Sequence, residues 1–137
     1  MNNDELDFSF SGLKSAVINL SHNETQRGNE IRKYDLAKSF QDVAIDQVIR
    51  KTKLAIEKYN IKRVIVAGGV SANGYLRDEM NKLCENIKVD LSIPPLKYCT
   101  DNATMIACAA YPQYLNNDFS SLSLRAKSQE YFFKNNE

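Results

Sequence analysis

One histidine occurs in the 137 residues of this chain. His22 lies in the polar stretch Ser21-His22-Asn23-Glu24, so a metal bound by this chain alone lacks the usual imidazole ligands. A Ser-His-Asp hydrolase is equally hard to assemble. The three cysteines, Cys84, Cys99 and Cys108, form no C-x-x-C pair. That excludes a zinc finger, speaks against a disulfide framework and fits a reducing cytoplasm. No excess of one charge is present: 18 basic and 17 acidic residues leave a net charge of +1. No strong electrostatic partner is therefore expected, and any nucleic-acid contact must come from a local patch. No apolar run is long enough to span a bilayer, and no charged segment followed by an apolar one opens the chain, so neither a membrane span nor a secretory leader is expected. What is there is the material of a core. With 43% hydrophobic and 26% charged residues the chain is not disordered as a whole, and its length suits one domain without staples.

Residues 1–5 are polar and read as frayed. Leu13, Ala16, Val17 and Leu20 then recur at helical spacing from Ser11 onward, and residues 21–30 read as a loop by composition. A long helix is expected over about 31–59 from Leu36, Phe40, Val43, Ala44, Val48 and Ala55. The β-branched run over 63–67 reads as a strand buried on both faces, ended by Gly68-Gly69. A helix starting near Ser71 to Asn73 follows, with Leu76, Met80, Leu83 and Ile87 on one side. Val89, Leu91 and Ile93 alternate as a half-buried strand stopped by Pro94-Pro95. The last helix, about 102–111, is apolar nearly all round and is expected to be buried, with Pro112 ending or kinking it. The tail from Asn116 is polar up to Tyr131-Phe132-Phe133, for which no role is assigned. Two strands do not make a stable sheet alone, so the chain reads as a piece of a larger α/β domain.

Four segments carry candidate chemistry. Residues 66–74 hold three of the five glycines, Gly68, Gly69 and Gly74. A strand running into Gly-Gly and a helix start lets the backbone approach a ligand, and Asn73 offers a two-faced amide. The same pattern is also an ordinary strand–helix turn with Ser71 or Asn73 as N-cap, the commoner reading on pattern alone. Asp101, in Cys99-Thr100-Asp101-Asn102, is either an N-cap or a carboxylate able to ligate a metal with partners from elsewhere, and Cys99 reads as a buried small residue before a thiol ligand. Phe8-Ser9-Phe10-Ser11-Gly12-Leu13-Lys14 is either a phosphate contact or, preferably, a capped helix start with a hydrophobic staple. Arg50, Lys51, Lys53, Lys58, Lys62 and Arg63 form a basic stretch that reads as a solvated face more readily than as an RNA contact.

Taken together, LDFSFSGLKSAV at 6–17, VAGGVSANGYLR at 66–77 and CTDNATMIA at 99–107 resemble the TsaD family, once labelled O-sialoglycoprotein endopeptidase or glycoprotease. The resemblance covers the carboxy-terminal part of the family only. It implies an α/β, helix-rich chain forming the second lobe of an actin/Hsp70-like (ASKHA, ribonuclease H-like) nucleotide-binding fold. Residues 1–115 would be that lobe and 116–137 a polar tail. It implies a cytoplasmic enzyme that moves a threonylcarbamoyl group from threonylcarbamoyl-AMP to N6 of the adenosine 3′ of the anticodon in tRNA. It also implies one divalent metal ion, iron or zinc, in the cleft, and TsaB- and TsaE-like partner proteins. By position, Asn73, Gly68 and Gly69 would meet the adenylate and Asp101 would bind the metal. No residue of this chain is expected to act as a covalent nucleophile.

The family's H-x-x-x-H metal motif and the acidic nucleotide motif of its amino-terminal half have no counterpart here. One aspartate holds a metal poorly, so the isolated chain is expected to be nearly inactive without the missing amino-terminal half. The alternatives are a non-catalytic partner-binding module of the same family, or an adenine-nucleotide ATPase, kinase or carbamoyltransferase of the same superfold. An exposed half-cleft would favour self-association.

Overall fold

Periodicity and punctuation place most elements of the computed structural model, which describes residues 6–125. The chain divides into two compact units between Thr100 and Asp101. The first unit holds α1 (Ser11–Gln26), α2 (Lys33–Tyr59), β1 (Arg63–Ile65), α3 (Gly74–Ile87) and β2 (Asp90–Ser92). The second holds α4 (Ala103–Leu115). Tyr131-Phe132-Phe133 lie outside the described residues.

The strands pair in parallel, Arg63 with Asp90, Val64 with Leu91 and Ile65 with Ser92. A parallel pair needs a crossover, and α3 supplies it. The core is Ile45 of α2 with Leu76 and Met80 of α3, against which Val48, Ile49, Val64, Val66, Tyr75, Leu91 and Ile93 pack. Both helices therefore cover the same face of the sheet. Lys38 adds a cation–π contact from α2 to Tyr75, 4.8 Å from the ring centroid. Asn60 and Lys88, both left-handed, end α2 and α3.

Several expectations need correction. The strand over 63–67 is not buried on both faces: it is assigned over Arg63–Ile65, and Ile65 is 72% exposed. Only the face bearing Val64 and Val66 meets helices. The loop expected over 21–30 is helical as far as Gln26, because its short polar side chains bond along the helix. The Thr25 hydroxyl donates to the Ser21 carbonyl at 2.9 Å, and Glu24 accepts from Asn29 at 2.7 Å and from Arg27 at 3.0 Å, bonds that lower the pKa of the Glu24 carboxyl, the Asn29 bond most. Gly28, at φ +75°, sits in the turn that follows. Along α2 the buried residues are Ile45 and Ile56, whereas Phe40 and Val43 of the expected stripe are exposed. The last helix extends to Leu115 with Pro112 inside it, and none of its residues is buried. Its apolar surface finds no burial among the described residues.

A cavity of about 590 Å³ opens beside the core. Four consecutive residues, Val64 to Ala67, line it together with Phe8, Phe10, Phe40 and Val48. Lining residues from both faces of one strand place the cavity along the edge of β1 that lacks a neighbour among the described residues. The Phe8 and Phe10 rings stack, with centroids 6.2 Å apart. A parallel sheet with one uncovered face and an open apolar edge is prone to association. Concentration-dependent self-association is therefore expected for the isolated chain in sedimentation velocity, and a stable monomer at high concentration would contradict it.

Candidate binding turn and its relatives

The carboxyl ends of the two parallel strands point the same way, where open α/β sheets bind ligands. Off β1, the chain runs through Val66 and Ala67 into Gly68 at φ +89°, ψ 172°, a conformation open essentially to glycine alone. A short 3₁₀ turn over Gly69–Ala72 follows, then Asn73 and α3. Ser71 is 1% exposed. Its amide donates to the Gly68 carbonyl at 3.0 Å and its hydroxyl donates to the same oxygen at 2.6 Å. A Cβ built on Gly69 or Gly74 meets nothing within 4 Å, so the space above the turn is open.

Asn73 is the N-cap of α3, its Oδ1 accepting from the Leu76 amide at 2.9 Å. Its Nδ2 donates to Gln41 Oε1 of α2 at 3.1 Å. These two bonds use one amide hydrogen and one lone pair of the side chain, so the cap does not exclude a contact to a ligand. Arg77, one turn into α3, donates from Nε to the Ser71 carbonyl at 2.6 Å and from Nη2 to the Pro94 carbonyl at 2.6 Å. Gln41 and Arg77 were not among the residues singled out from the sequence. A cation in the first turn of a helix opposes the macrodipole, the one sequence signal that Arg77 carries, but its partners appear only in the structure.

Off β2, Pro94-Pro95 and a 3₁₀ turn over Leu96–Tyr98 lead to Cys99. Cys99 is buried as expected, and its Sγ lies 3.2 Å from Arg77 Nη2. Burial pushes the Cys84 thiol up, while Cys108 is exposed.

In the second unit the N-cap of α4 is Asn102, whose Oδ1 accepts from the Met105 amide at 3.1 Å. The capping reading of Asp101 is thus replaced by its neighbour: Asn102 has the extended backbone of a cap, and Asp101 precedes it as an exposed residue. Among the described residues no three of His, Cys, Asp and Glu gather as metal ligands. Asp101 alone does not fit a divalent ion, and a metal site would need donors from outside the described chain.

The other two candidates resolve blandly. The helix start at Ser11 is capped by Phe10 with no side-chain bond, contrary to the expected capped start. The hydroxyls are engaged locally, Ser9 with Ser11 at 3.2 Å and Ser15 with the Ser11 carbonyl at 3.1 Å. The basic stretch is spread over local partners: Arg50 with Gln47, Lys53 with Glu57, Lys62 with Asn60 and Arg63 with Asp90. His22 is an exposed residue of α1, not of a loop. No helix among the described residues is long and apolar enough to cross a membrane.

The family profile described as TsaD, tRNA N6-adenosine threonylcarbamoyltransferase, matches residues 1–108. The chain belongs to the TsaD family. Relatives bearing the name tRNA N6-adenosine threonylcarbamoyltransferase include those of Moorella thermoacetica, 50% identical over 88% of this chain and 35% of the relative, and Streptococcus sanguinis, 49% identical over 90% and 36%. The Lactococcus lactis subsp. cremoris protein is 51% identical over 93% of this chain and 38% of its own length. The chain thus spans little more than a third of the curated relatives it matches, in keeping with a carboxy-terminal part.

The two adjacent glycines of the TsaD turn make separable demands. Gly68→Ala is expected to cost about 1–3 kcal/mol of stability through its backbone conformation. Gly69→Ala should shift stability by less than about 0.5 kcal/mol, as a surface change. Urea unfolding of both variants checks this; equal stability losses would contradict the assignment.

Proposed function

We propose that this chain is the carboxy-terminal part of a threonylcarbamoyl transferase acting on tRNA, and that residues 68–73 hold the adenylate of threonylcarbamoyl-AMP. The observation that carries the reading is the open turn between Gly68 and Asn73, set at the carboxyl end of a parallel strand within a TsaD motif. In the reaction, N6 of the tRNA adenosine attacks the carbamoyl carbon, the bond to the AMP phosphate breaks, and the N6 proton leaves to solvent or base. N6 is a weak nucleophile, so positioning must carry much of the rate. This chain's contribution is to bind and orient: glycine lets the backbone approach the nucleotide, and the remaining Asn73 amide hydrogen reaches a ribose or base edge.

The proposed setting is the second lobe of an actin/Hsp70-like fold, whose further sheet would cover the edge of β1. Asp101 would be one ligand of an iron or zinc ion completed by the amino-terminal half. TsaB- and TsaE-like proteins are the proposed partners, and the cytoplasm, where tRNA is modified, the proposed location.

The test is threonylcarbamoyl transfer to tRNA from threonylcarbamoyl-AMP. The chain alone, and the chain with a separately expressed amino-terminal half, are each compared with Asp101→Ala. Activity is expected only in the mixture and is expected to vanish with Asp101→Ala. Activity of the chain alone would contradict the split site. A cooperatively melting chain inactive in both would favour a non-catalytic module.

A further inference from the structure

The binding turn is not held by its own hydrogen bonds alone. We propose that Arg77 is a positioning residue, a clamp that fixes the 68–73 turn to the segment leaving β2; as a statement about ligand binding it rests on the adenylate reading above. Three observations carry it. The guanidinium of the half-buried Arg77 donates to carbonyls from two separate segments, Ser71 through Nε and Pro94 through Nη2, each at 2.6 Å. The same Nη2 reaches Cys99 Sγ at 3.2 Å, so one side chain ties the 3₁₀ turn, the Pro94-Pro95 stop and the buried thiol. Finally, the arginine stands where a helix dipole disfavours a cation, and α3 has no acidic residue in its first turn to offset it.

The clamp acts on the shape of the turn. The Ser71 hydroxyl and amide both point back to Gly68, and its carbonyl is taken by Arg77. Every polar group of this buried residue is thereby committed, and the Gly68–Ser71 loop is locked between β1 and α3. Pro94 and Pro95 make a stiff anchor, because their φ angles are fixed. A planar fork is needed to span two carbonyls from one head group, which a lysine ammonium does not reproduce. The same bonds fasten Cys99, two positions before Asp101 in the sequence.

The experiment compares wild type, Arg77→Ala and Arg77→Lys in the full chain, with two independent readouts. The first is local: amide hydrogen exchange at Ser71–Asn73 and the alkylation rate of Cys99, referenced to amides around Ile45 in α2. The second is AMP affinity with the amino-terminal half added as a separate chain. Loss of charge-assisted bonds should speed exchange and alkylation about ten-fold or more in Arg77→Ala. α2 should stay protected, Arg77→Lys should fall between, and AMP affinity should drop in the same order. Unchanged local exchange and alkylation in both variants would overturn the clamp. A loosened turn with wild-type AMP affinity would overturn its role in positioning. Wild-type protein that fails to bind AMP would overturn the adenylate reading, while the local readout still decides whether Arg77 holds the turn. If Arg77→Ala fails to fold, Arg77→Lys carries both readouts.

Discussion

The packing of Ile45, Leu76 and Met80 against Val64, Val66, Leu91 and Ile93 is the contact on which the rest of this structure depends. It presses α2 and α3 onto one face of a parallel strand pair and so sets both strand ends on the same side of the molecule. Met80 is 2% exposed and central to it. Losing a buried Met side chain costs about 2–5 kcal/mol, a large share of the stability of a small domain. Everything downstream, from the Gly68 turn to the Arg77 bonds, presumes that α3 lies in this place.

The unit also shows what a parallel strand pair lacks when it stands alone. Ile65 faces away from both helices, and an apolar cavity runs along the open edge of β1. Such surfaces are covered in complete α/β domains. The share of the relatives that this chain spans, little more than a third, accounts for the deficit without any irregularity in the fold itself. The site follows the same logic. Asp101 stands without a cluster of other ligands among the described residues, whereas the glycine turn finds its hydrogen-bond partners, Arg77 included, within the first unit.

Much of this was legible in the sequence, for identifiable reasons. A β-branched run stopped by Gly-Gly, a helix with apolar residues four, three and four apart, and an alternating strand stopped by Pro-Pro each have a distinct period, and β1, α3 and β2 follow them. The end of α1 was not legible, because Ser21, Asn23 and Thr25 read as loop formers by type and continue a helix when their hydroxyls bond back along it. The burial of α4 was misjudged, since an apolar surface states that a partner is needed and not that the same chain supplies it. The choice between Asp101 and Asn102 as cap turned on one residue of register, which composition does not fix. Arg77 was hidden by convention: it sits inside a motif whose glycines and asparagine draw attention, and its role is visible only when Ser71, Pro94 and Cys99 come together.

The central claim is that residues 68–73 hold an adenylate. Arg63 and Arg77 bracket this turn, so trypsin releases it as the single peptide 64–77. Photolabelling with 8-azido-AMP, with the amino-terminal half present and unlabelled AMP as competitor, addresses the claim most directly. Label concentrated on that peptide and abolished by AMP is the predicted result; label elsewhere, or label indifferent to AMP, would contradict it.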